Sequence, residues 1–146
     1  MNLTLNARDI SKLSHSARAE LQALLFPKAG LVLPEGFTED DFKNVVDLTL
    51  EQITEFMENC SQSTKDGLEV MAIHGPVVDA RLLYEVEIEN LGSWQGGITK
   101  RTRTVTGDRK AYMLAWDDWS SAPDNIGRYA VTPITHQSLQ AYFGEE

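Results

Sequence analysis

Apolar residues fall at helical spacing in some stretches of this chain and at alternate positions in others, and the switches between the two predict the order of its elements. Ala17, Leu21, Leu24 and Leu25 recur at i, i+4, i+7 and i+8, with Ser14 or Ser16 as N-cap and Pro27 as stop, which predicts a first helix. MNLTL before it reads either as a short edge strand or as an irregular lead-in. The segment PKAGLVLPEGFTEDD holds two prolines and two glycines and reads as a connection, with residues 31–33 pinned to the core. Thr38, three residues before Asp41, starts either a helix or, through Val45, Val46 and Leu48, a strand. Thr49 caps LEQITEFMENC, which turns Leu50, Ile53, Phe56 and Met57 to one side and Glu51, Glu55 and Glu58 to the other. A further cap at Ser63 starts a helix that buries Leu68, Met71 and Ala72 and stops at Gly75-Pro76.

The next segment has two readings. Residues 77–86 form a short helix packing Val78, Leu82, Leu83 and Val86, or a strand runs over residues 83–89, where Tyr84, Val86 and Ile88 alternate with glutamates. Residues 94–105 are ambiguous in the same way. As a helix opened by Ser93 they set Trp94, Ile98, Arg101 or Thr102, and Val105 along one side, and fan Lys100 and Arg103 outward. As a strand they pair with KAYMLAW through a turn at residues 106–109. Gly96-Gly97 weakens the helix and four threonines favour the strand, but alternate residues do not separate into an apolar and a polar face, and the helix is the better fit. Beyond it, Tyr112, Leu114 and Trp116 alternate with their neighbours, a polar loop covers residues 117–127, and RYAVT makes a second strand. Thr132-Pro133 then opens a closing helix, with Gly144 as its stop.

Leu13-Ser-His-Ser-Ala-Arg followed by Leu21 echoes Cys60-Ser-Gln-Ser-Thr-Lys followed by Leu68, and a shared capping solution accounts for two copies better than a duplication does. Charge adds a second division. The 146 residues carry a formal net charge of −9, and residues 1–90 supply all of it, while Lys100, Arg101, Arg103, Arg109 and Lys110 cluster within eleven residues with only Asp108 opposing them. An acidic body with one basic patch does not coat polyanions indiscriminately. No apolar run is long enough to cross a membrane, and the N-terminus lacks a basic region followed by an apolar one, so the expected location is cytoplasmic, consistent with a single cysteine, Cys60.

The order of a helical unit, a Thr/Arg-rich segment, a β-hairpin with a polar loop and a closing helix resembles winged helix-turn-helix domains over residues 48–143. The resemblance implies an α+β, winged helix-like fold: a helical N-terminal part, a hairpin wing and a C-terminal helix. Residues 1–47 would be a helical extension packed on that domain, residues 48–146, and a homodimer is compatible with it. It also implies a non-catalytic regulatory or accessory protein that contacts DNA.

A nucleic-acid reader needs cations for phosphates, hydroxyls and amides for base edges, and little bulk where the backbone approaches the groove. Gln95, Thr99, Lys100, Arg101, Thr102, Arg103, Arg109 and Lys110 supply that set, and Gly96-Gly97 permits the approach. The alternative is a protein-binding module or inhibitor, acidic over residues 35–47 and 85–89, that meets a basic partner and imitates nucleic acid; Asp117, Asp118 and Trp119 at the loop tip would then be its contacts. Trp116 is expected in the core, Cys60 as a small buried hydrophobe, and His136 on the surface of a first helical turn. Cys60, His15, His74 and His136 sit in no catalytic motif, the three aspartates of the loop match no metal-binding signature, and no phosphate-binding or dinucleotide motif is present. No catalytic residue, metal or cofactor is therefore expected.

Overall fold

The computed structural model describes residues 33–144; the readings of residues 1–32, the first helix and the first copy of the echo among them, lie outside the described residues. The described chain is α+β, with helices around a small three-stranded antiparallel sheet. The capping chemistry of α1 (Leu50–Glu58) is reciprocal: Thr49 Oγ1 accepts from the Gln52 amide at 3.2 Å while Gln52 Oε1 accepts from the Thr49 amide at 3.0 Å. Ile53, Phe56 and Met57 are buried as their spacing predicts. α2 (Gln62–His74) starts two residues earlier than expected, because Ser61 rather than Ser63 receives the Thr64 amide.

The helix reading of residues 77–86 holds in part and the strand reading of residues 83–89 does not, since a helical stretch forms over Ala80–Val86 but begins three residues late. β1 (Val77–Asp79) is a strand, Asp79 caps a 3-10 helix over Ala80–Val86 by accepting from the Arg81 amide at 2.9 Å, and Glu87 turns the chain at φ 66°. The strand exists because Val77, Val78 and Asp79 pair with Ala130, Tyr129 and Arg128 of β3 (Arg128–Ala130), a register that local pattern cannot reveal. β2 (Ala115–Trp116) flanks β3 on the other side, with Trp116 opposite Tyr129, so the sheet order is β1-β3-β2. β2 is shorter than the alternation of residues 112–116 suggests. Met113, Leu114 and Ala115 are all buried, whereas Tyr112 and Trp116 are only half-buried.

α4 (Pro133–Phe143) has the expected Thr132 cap, N1 proline and Gly144 stop at φ 74°. It packs across α1 and α2 and its two buried hydroxyls anchor the segment before α1. Thr135 Oγ1 accepts from the Leu48 amide at 2.9 Å, and Ser138 Oγ donates to the Leu48 carbonyl at 2.7 Å, which leaves neither buried backbone group unpaired. His136 is half-buried instead of on the surface; its Nε2 donates to the Ala72 carbonyl at 3.2 Å, and burial pushes its pKa below the usual imidazole range. Cys60 is also half-buried, and burial raises its thiol pKa.

Residues 33–47 belong to the same compact unit as residues 48–144. Thr38 and Asp41 cap each other, a single 3-10 turn spans Asp40–Phe42, and Val45 makes an isolated parallel bridge to Tyr112. The choice between helix and strand here thus resolves to one turn and one bridge. No helix among the described residues is long and apolar enough to cross a membrane.

Candidate functional site

α3 (Leu91–Thr106) carries the Thr/Arg-rich segment as a helix. Asn90 Oδ1 accepts from the Ser93 amide at 2.9 Å and opens it three residues before Ser93 would. Leu91, Trp94, Ile98 and Thr102 recur at helical spacing and are buried, and Gly107 closes the helix at φ 70°. The burial of this face overrides the strand preference of the threonines, and Thr99, Thr102, Thr104 and Thr106 each donate a hydroxyl to the carbonyl four residues back, at 2.8 to 3.2 Å.

The fold sorts the expected site residues into four places. Thr102 is fully buried and its hydroxyl is spent on the Ile98 carbonyl, so it leaves the candidate set. Arg101 turns toward the end of α1, where its Nη2 donates to the Glu55 carbonyl at 2.7 Å and its Nε to the Phe56 carbonyl at 3.2 Å. A guanidinium there completes the last carbonyls of α1 and meets the negative end of its dipole. Arg101 is therefore a structural residue. Arg109 and Lys110 are exposed in the turn after Gly107.

The rest come together on the open side of α3. Gln95, Gly96, Thr99, Lys100, Arg103 and Thr104 line a groove of about 700 Å³, closed along one wall by Tyr112 and Trp116. No carboxylate lines it. Arg103 is held by two contacts, with its guanidinium 4.9 Å from the Tyr112 ring centroid and its Nε donating to the Ala111 carbonyl at 3.3 Å. Its terminal nitrogens have no partner among the described residues. Gln95 is fixed from below: the buried Tyr129 hydroxyl donates to Gln95 Oε1 at 3.0 Å, which turns the amide nitrogen away from the sheet. Burial, with a smaller effect of Tyr84, raises the Tyr129 pKa to about 12, so the phenol keeps the proton that orients Gln95. Tyr112 and Trp116 meet edge-on at 5.8 Å, and beyond them a smaller groove of about 240 Å³ carries Asp40, Asp41 and Lys43. The basic groove thus ends at an aromatic wall, and Trp116, half-buried and packed against the edge of the core, forms part of that wall. Thr104, Tyr112 and Trp116 were missing from the expected set; Thr104 follows from Gly96 and Lys100 at i+4 intervals, but the two aromatics arrive through the fold and leave no local signal.

Among the described residues the sole ion pair is Asp117 with Arg128, so none of the five clustered cations is neutralised by a carboxylate there. That pair closes the base of the loop before β3: Asp117 accepts from both the Arg128 amide and its Nε at 2.9 Å. Trp119 lies over Tyr129 with ring centroids 5.1 Å apart and donates its indole N–H to the Arg128 carbonyl at 3.3 Å. Gly127 is required beneath it, since a Cβ there would stand 2.5 Å from Trp119 Cδ1. Asp117 and Trp119 are thus engaged internally. Of the three expected contacts only Asp118 is exposed, and there the hydroxyls of Ser120 and Ser121 hold its carboxyl below the usual range. The loop aspartates do not converge, and no group of three or more metal-ligating side chains is found among the described residues. A comparison of the chain with protein-family models finds no match, and neither the curated proteins nor the solved structures yield one.

Proposed function

We propose that this chain is a winged-helix protein that binds duplex DNA by setting α3 into the major groove, as a non-catalytic regulator or accessory factor. The observation that carries the reading is the open face of α3, where two cations without an ion-pair partner among the described residues, hydroxyls and an oriented amide share one groove with no carboxylate among its lining residues. Lys100 and Arg103 suit phosphates or guanine edges, Gln95 and Thr99 suit base edges, and Arg109 and Lys110 extend the positive surface past the end of the helix. The topology is compatible with the reading: a 3-10 helix, a four-residue turn and α3 follow β1, and in a sheet of order β1-β3-β2 the loop over residues 117–127, between β2 and β3, would serve as the wing. That loop exposes Asp118 and Asp124 and has no cation before Arg128, so on this reading the wing contributes little and α3 carries the contact.

Two glycines give the reading a further support. Gly96 and Gly97 lie in the middle of α3, and a Cβ at either would meet nothing within 4 Å. Each costs the helix about 1 kcal/mol relative to alanine, and no packing among the described residues requires either. A surface that must admit a DNA backbone closely has a use for them. Replacing Gly96 with alanine should therefore stabilise the protein by about 1 kcal/mol in thermal unfolding while weakening binding to a fluorescent duplex by roughly tenfold. A variant that gains stability and binds the duplex as well as the parent would remove α3 from the interface.

A further inference from the structure

We infer that a second groove, between α2 and the 3-10 helix, is the docking site for a basic amphipathic helix of a partner protein. It measures about 460 Å³ and shares no residue with the groove on α3. Its floor is apolar: Val70 and Ile73 from α2 face Leu82 and Val86 from the 3-10 helix. Ile73 is 51% exposed, the most exposed large hydrophobic residue among those described. Its rim is acidic, with Asp66 and Glu69 on one bank and Glu85 and Glu87 on the other. His74 is the one group on the rim able to carry a positive charge, and none of the four carboxylates has an ion-pair partner among the described residues.

The charge names the occupant. An apolar strip flanked on both sides by uncompensated carboxylates is complementary to a helix with apolar residues at i, i+3, i+4 and i+7 and Lys or Arg on either flank. A nucleic acid would be repelled from it, and an acidic helix would bring like charges together. The backbone at Glu87 points the same way. With φ at 66° it occupies the left-handed region, where glycine would sit without the cost of a Cβ, yet a carboxylate stands there and lines the groove.

The test is a titration of the isotopically labelled protein, followed by amide chemical shifts, with a synthetic helical peptide of leucine and lysine in that spacing. A peptide of the same composition, scrambled to destroy the apolar face, is the control. Shifts should concentrate in residues 66–74 and 82–87, and the scrambled peptide should bind at least tenfold more weakly. Ile73→Ser should weaken the ordered peptide at least tenfold, and so should Glu87→Gly, which relieves the backbone and so separates lost binding from lost folding. Equal binding of the two peptides, or shifts spread over the whole acidic surface, would reduce the groove to general electrostatics and overturn the inference. Concentration-dependent dimerisation in sedimentation that Ile73→Ser abolishes would overturn it too, by giving the groove to a second copy of the chain.

Discussion

Replacing Gly67 with alanine is expected to destabilise the protein by about 2 kcal/mol, although it removes a glycine from the middle of a helix. Helix propensity alone predicts the opposite sign, a gain of about 1 kcal/mol. The packing decides. Gly67 of α2 lies against the indole of Trp94 in α3, and a Cβ added there would overlap Nε1 and come within 2.5 Å of Cε2 and Cζ2. Trp94 is itself buried against Tyr129 at 5.5 Å and cannot swing clear, so the helices must separate or the ring must leave its rotamer. The indole N–H already lacks a partner among the described residues, so the site has no hydrogen bond to lose, and the cost is steric. Denaturant unfolding of Gly67→Ala, Trp94→Leu and the double variant checks this as a cycle: with the smaller residue at position 94, alanine at position 67 should cost nothing or stabilise. A stabilising Gly67→Ala in the parent protein would mean that α2 and α3 do not meet this closely. The close approach matters to function because it sets how far α3 stands out from the body.

The second large effect belongs to the groove. Lys100→Ala combined with Arg103→Ala should weaken duplex binding by roughly a hundredfold, on the basis of about 1–3 kcal/mol for each side chain that no longer reaches the duplex. Arg101→Ala, between the two in sequence, should behave differently. It removes two charged hydrogen bonds to the end of α1 and should cost about 1–2 kcal/mol of stability, yet change duplex affinity less than about threefold once the protein is folded, since Arg101 faces α1 and lines no part of the groove. Anisotropy titrations of the parent and the two variants, alongside their unfolding curves, separate the two roles. Equal losses of affinity from Arg101→Ala and from the pair would show that the cations act only through their summed charge.

Where the chain states its structure locally, the sequence is readable. The Thr49 capping box, the apolar face of α1 and the Thr132-Pro133 and Gly144 ends of α4 all depend on residues within one or two turns. α3 is readable as a helix from Trp94 and Ile98, and its helical spacing already puts Arg101 or Thr102 on the inner side. The feature that counts against the helix, its run of threonines, is overridden by the tertiary burial of Leu91, Trp94, Ile98 and Thr102, which no local propensity records. β1 is not readable, because three residues become a strand only when Tyr129 and its neighbours arrive from far along the chain. The candidate site is legible as a set of cations and illegible as an arrangement. Charge marks Lys100 and Arg103 and equally Arg101; only the position of α1 shows that one of the three completes a neighbouring helix. Tyr112, which holds Arg103, and Tyr129, which orients Gln95, carry no signal of those tasks in their own surroundings.

The salt dependence of duplex binding tests the central claim most directly. Lys100, Arg103, Arg109 and Lys110 are the clustered cations left to meet phosphates once Arg101 is assigned to α1. If all four make that contact, an anisotropy titration of the parent protein on a fluorescent duplex should show binding at low salt. The logarithm of the association constant should then fall against the logarithm of salt concentration with a slope of about −3 to −4. No binding at low salt, or a slope near zero, would contradict the account and leave an acidic α+β protein whose basic groove serves some other partner.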